Sequence, residues 1–98
     1  MAIKTVTKTH TFSSTTEEDF SIDMGGKIYE KQATVILQGY DMGYQDDYDH
    51  NVRICKLRIT NVGVDETKID YTINFQLQDD GDHLGEATVN IVAIADME

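Results

Sequence analysis

Lys68-Ile-Asp-Tyr-Thr-Ile-Asn-Phe-Gln-Leu-Gln78 is the stretch whose reading decides the fold. Ile69, Tyr71, Ile73, Phe75 and Leu77 fall on one side of an extended chain. Asp70, Thr72, Asn74, Gln76 and Gln78 fall on the other. Successive side chains of a strand point to opposite faces, so this period of two predicts a half-buried β-strand. Upstream, residues 52–62 predict a second long strand. Its apolar parity changes between Ile59 and Val62, which predicts a bulge. Downstream, Ala87-Thr-Val-Asn-Ile-Val-Ala-Ile94 predicts the strand that closes the domain.

Residues 33–44 read as a further strand, apolar on both faces. Val35 and Leu37 point one way; Ile36, Tyr40, Met42 and Tyr44 point the other. Such a strand must bury both faces. One face takes the core, and the second is left to a neighbouring subunit or to residues 20–30. Thr5-Val-Thr-Lys-Thr-His-Thr-Phe12 suits an edge strand. Residues 13–19 read as a polar turn or a short capped helical turn. Phe20, Ile22 and Met24 alternate until Gly25-Gly26 breaks the run. Residues 27–31 are a short strand or a loop.

About six strands joined by short turns predict an all-β fold, a small antiparallel β-sandwich in a single domain over residues 1–98. Read as a meander, residues 33–44 run up, 52–62 down, 68–78 up and 86–95 down. The acidic loops 45–51 and 79–85 then meet at one edge beside Arg53. Leu37, Leu57, Ile73, Phe75, Val89 and Ile91 are the expected core.

The 98 residues carry a formal net charge of -10. That argues against nucleic acid, whose phosphates need Lys and Arg, and against anionic membrane surfaces. Cys55 has no partner for an intrachain disulfide and reads as a small core residue. The opening residues 1–8 lack the apolar core of a signal peptide, and no apolar run reaches the ~18 residues of a membrane span.

Four short motifs carry a resemblance: Ala33-Thr-Val-Ile-Leu37, Asn51-Val-Arg-Ile54, Leu77-Gln78, and Val89-Asn-Ile-Val-Ala-Ile94. In order and spacing they resemble the H-type lectin domain over about two-thirds of the chain. Asn51 and Arg53 match that family's Asn-x-Arg. Gln78-Asp79 stand where the family has a Trp followed by a polar residue, and Ile91 stands at its final Trp. The resemblance implies a six-stranded sandwich that assembles as a homotrimer and binds sugars at one end between subunits. The matching arginine would bond sugar hydroxyls. The missing Trp removes an apolar stacking face, for which Tyr44 or Tyr48 would have to substitute. Such sandwiches also look like domains of bacteriophage tail and surface proteins, which implies a virion component.

The candidate carbohydrate site is therefore Arg53, Gln78, Asp79, Tyr44 and Tyr48. A structural alternative pairs Arg53 with Asp49 or Asp79. A calcium site would draw on Asp46, Asp47, Asp49, Asp79, Asp80 and Asp82, which are hard oxygen donors. Neither loop has the EF-hand pattern, and solvated turns use Asp and Gly for backbone reasons. His50 and His83 could join carboxylates on a transition metal. Carboxylates are abundant, but no nucleophile–base constellation or phosphate loop is present. The expected function is a non-enzymatic, oligomeric adhesion or assembly module that recognises glycans and needs no cofactor. The alternatives are a structural virion protein contacting other virion proteins, and a calcium-dependent binding module.

Overall fold

The computed structural model describes residues 2–13, 16–44, 50–81, 83 and 85–98. They form six strands: β1 (Ala2–Phe12), β2 (Thr16–Asp23), β3 (Ile28–Gly43), β4 (Val52–Asp65), β5 (Lys68–Asp79) and β6 (Glu86–Met97). Two antiparallel three-stranded sheets result, ordered β1-β6-β3 and β2-β5-β4. The fold is an all-β, small antiparallel β-sandwich. Threonine-rich β1 is an edge strand, as its sequence predicts. Residues 16–19 are strand, not turn, because β2 pairs with β5 from Thr16↔Phe75 to Asp23↔Lys68. Residues 28–31 open β3.

The strand directions follow the sequence reading, but the sheets are not a meander. Only β4 and β5 form a hairpin. β3 pairs with β6, so the 44–51 and 80–85 connections both cross from one sheet to the other. Both crossings lie at one end of the molecule. At the far end the sheets are tied by backbone bonds, Met24 N–H to Thr67 O at 2.8 Å and Ile28 N–H to Glu66 O at 3.0 Å.

The core is a contact between the two central strands. Ile69, Tyr71, Ile73, Phe75 and Leu77 of β5 face Ala87, Val89, Ile91, Ala93 and Ala95 of β6, and all ten are buried. Phe12, Phe20, Tyr71, Phe75 and His10 close the β1/β2 flank as an aromatic cluster, with Phe12 and Phe75 stacked at 6.0 Å. Inside it His10 Nε2 and the Tyr71 hydroxyl share a 2.6 Å hydrogen bond. Burial raises the Tyr71 phenol to about 12 and lowers the His10 imidazole, so both stay neutral at physiological pH.

The β3/β4 flank corrects four expectations. The register of β3 shifts between Leu37 and Gly39, so Val35, Leu37, Tyr40 and Met42 all stand opposite inward residues of β6. A bulge adds one residue and moves everything beyond it to the other face. The strand's apparent second apolar face is thus mostly the first face continued past the bulge. Leu37 is nevertheless 40% exposed and Tyr40 58% exposed, because this flank lacks the aromatic closure of the other. Leu57 is half-buried and Cys55, expected in the core, is exposed. The bulge predicted in β4 is present as a shift between Thr60 and Gly63.

The molecule is a thin blade of 51 × 19 × 14 Å with a radius of gyration of 15.9 Å. A compact chain of this length would have about 13 Å.

Phe75→Ala should cost about 3–5 kcal/mol in denaturant unfolding. Leu37→Ala, at an exposed position, should cost well under half of that. Tyr71 yields a pH prediction. Its folded value lies above that of the unfolded chain near 10, so its contribution is present below pH 10 and is lost as pH rises towards 12. In Tyr71→Phe the alkaline fall in melting temperature should flatten between pH 9.5 and 12. An unchanged slope would assign it to the other tyrosines.

Candidate functional site at the crossing end

β5 ends on Asp79, whose parity is that of the core residues before it. The strand therefore carries a carboxylate inward at the mouth of the sandwich, where Asp79 is 4% exposed. A buried carboxylate must be paired or hydrogen-bonded. Its Oδ1 accepts the backbone N–H groups of Gly81 at 2.9 Å and His83 at 2.8 Å. Its Oδ2 accepts Nδ1–H of His50 at 2.6 Å and Nδ1–H of His83 at 2.8 Å. Four donors fill the acceptor capacity of one carboxylate. The His50 bond first, then the bonds from His83 and Gly81, hold the Asp79 carboxyl well below its usual value, against the opposing effect of burial.

The two crossing connections supply the histidines. His50 precedes β4 and lies stacked on Tyr44 at 3.9 Å with the rings 12° from parallel. The Tyr44 hydroxyl is buried and has no hydrogen-bond partner. Burial raises its pKa, and the Asp79 charge adds to this. His83 is on the β5–β6 connection, with its side chain 69% exposed. The connections are also joined through backbone, Asp80 N–H donating to Asn51 O at 3.0 Å, with Asn51 Nδ2 donating to Asp80 Oδ2 at 3.4 Å.

Gly85 allows the return into β6. Its N–H donates to Leu77 O at 2.7 Å, and a Cβ there would meet Leu77 Cγ at 2.6 Å. Gly81 is similarly close to His83, whose ring would lie 3.3 Å from an added Cβ.

The described parts of the acidic loops thus meet at one end, as the strand directions require. Arg53 is exposed on β4, within the register shift between Val52↔Asp79 and Ile54↔Gln78. It therefore stands across from Gln78 and Asp79. Asp79 itself turns inward to the histidines, and Tyr44 turns its ring to His50. Tyr48, Asp46, Asp47, Asp49 and Asp82 lie outside the described residues. Of the calcium candidates, Asp80 is exposed and bonded to Asn51.

Beside the site, on the outer face of the β1-β6-β3 sheet, is a cavity of about 460 Å³ lined by Thr11, Asp41, Gly43, Tyr44, Glu86 and Thr88. Sequence reasoning did not find this groove, because its residues come from three strands that pair only in the folded sheet. The one signal available was the polar parity of Thr11, Glu86 and Thr88.

Comparison with protein-family models, with curated proteins and with solved structures finds no match.

Gly85→Ala should destabilise the fold by about 1–3 kcal/mol, the usual cost of forcing extra volume into a packed site. The His50 and His83 ring resonances should shift in the same variant while His10 stays unchanged. Unaltered stability would show that Leu77 can move aside.

Proposed function

We propose that this chain is a non-enzymatic binding module that works as a closed homo-oligomer, with a trimer favoured. The observation that carries this is the charge on the two edges of one sheet. In the β2-β5-β4 sheet, β2 carries Glu17, Glu18, Asp19 and Asp23, while β4 carries Arg53, Lys56 and Arg58. Glu17 and Arg58 both stand opposite Asn74 of the central strand, so they share one level and one face. Edge β4 of one copy can then meet edge β2 of the next with opposite charges aligned. Repetition of this head-to-tail contact closes into a ring, and a closed ring covers both edges of the β2-β5-β4 sheet. The same approach covers Leu37 and Tyr40 on the β3/β4 flank.

Glycans are the class of ligand this reading favours. The six-stranded sandwich and the position of Arg53 across from Gln78 support the likeness to H-type lectins. The polar groove with Thr11, Asp41, Glu86 and Thr88 is suited to hydroxyl groups. The competing reading is a structural virion component that assembles without binding sugar.

Light scattering should give a mass that is a small multiple of the monomer and falls as salt is raised, because exposed charge pairs are screened. Arg58→Glu and Glu17→Lys should each give monomers, and the double variant should reassemble. A wild-type monomer at micromolar concentration would overturn the oligomer. On a glycan array, Arg53→Ala should abolish binding with the fold intact. Binding that survives Arg53→Ala combined with Gln78→Ala would remove the lectin-like site, and no binding by the wild type would favour the virion reading.

A further inference from the structure

We propose that His50, Asp79 and His83 form a binding site for a divalent transition-metal ion of the Zn²⁺ class. Each residue offers one donor atom, and the three atoms lie within 4.8 Å of one another. His50 Nδ1 and His83 Nδ1 both converge on the same oxygen, Asp79 Oδ2. Here the other oxygen is already held by backbone N–H groups, which fixes the carboxylate and leaves Oδ2 and the two Nδ1 atoms facing a common point.

The donor set selects the ion. Two imidazole nitrogens and one carboxylate suit Zn²⁺ and its first-row neighbours, whereas Ca²⁺ and Mg²⁺ take oxygen ligands almost alone. Tetrahedral ligands about 2.0–2.1 Å from Zn²⁺ stand roughly 3.3 Å apart. The present separations of 2.6 and 2.8 Å are shorter by about half an ångström. His83 can supply that movement, since its side chain is 69% exposed on a connection between strands. His50 is held in place by its stack on Tyr44. An ion binds Nδ1 only through its lone pair, so each Nδ1 proton passes to Nε2 or to solvent and each ligating ring is neutral with its proton on Nε2. Two further features of a metal centre are also present. The backbone bonds to Asp79 Oδ1 orient a ligand from behind, and three protein donors leave one position for water or an outside donor.

The proposal is independent of oligomerisation and of any sugar. Its test is calorimetric titration of the full chain with ZnCl₂, followed by side-chain nitrogen NMR of the three histidines. One Zn²⁺ per chain should bind, shifting Nδ1 of His50 and His83 and leaving His10 unmoved. Co²⁺ should give visible absorption of a low-coordinate site, and Ca²⁺ should not compete. His83→Ala, which removes one of the three donors, should weaken Zn²⁺ binding by more than the roughly 10–100-fold that loss of an outer-shell partner costs, with the melting temperature read alongside to check that the fold persists. Asp79→Asn should do the same. Absence of stoichiometric binding, uptake that Ca²⁺ displaces, or an affinity unchanged in His83→Ala would each overturn the site and leave a purely hydrogen-bonded triad.

Discussion

Only β5 and β6 have neighbours on both sides, and the contact between their inward faces holds the molecule together. β5 contributes large side chains, Ile69, Tyr71, Ile73, Phe75 and Leu77. β6 answers with Ala87, Ala93 and Ala95 around Val89 and Ile91. Large residues on one sheet thus stand against small ones on the other. The four remaining strands are edges, and each is stable only because a central strand supplies its backbone partners. In a two-layer blade each sheet buries only one face, so closure of the flanks becomes a matter of individual side chains.

The two flanks solve that problem differently. On the β1/β2 side, aromatic rings fill the space, and the His10 imidazole and Tyr71 hydroxyl satisfy one another inside it. On the β3/β4 side the Tyr44–His50 stack closes the crossing end, while Leu37 and Tyr40 farther along remain exposed although they lie on the inward face. Edge charge follows the same division. The acidic edge is on the closed flank of its sheet and the basic edge is on the open one. A chain of net charge -10 that gathers three of its eight basic residues on one edge strand has a directional surface, not a uniformly acidic one.

At the crossing end the same strand geometry produces chemistry. β5 keeps its inward parity one step past Leu77, and that step places a carboxylate where the next core residue would be. Burial requires that Asp79 be satisfied, and the β3–β4 and β5–β6 connections meet its oxygens with His50, His83 and two backbone N–H groups. The close approach at Gly85 lets the chain turn back directly under Leu77. Site and fold are therefore not separable here, because the residue that ends the core is also the residue that organises the loops.

The sequence alone determined the strands whose two faces differ in polarity. Residues 68–78 and 87–94 could be read because water on one face and core on the other impose a period of two. The bulge in β4 was legible for the same reason, as a break in that period. Which strand pairs with which was decided only by the tertiary structure, since an alternating pattern fixes a face and not a neighbour. The bulge after Leu37 was missed because apolar residues on both sides of it read equally well as a strand with two buried faces. Asp79 read as a ligand-binding candidate for sugar or calcium, and its burial became visible only with the parity of β5 and the return of β6. His50 and His83 are 33 positions apart in the chain, and what brings them onto one carboxylate oxygen is the pair of crossings at a single end. No local pattern encodes that meeting, because it depends on backbone hydrogen bonds made between residues distant in sequence.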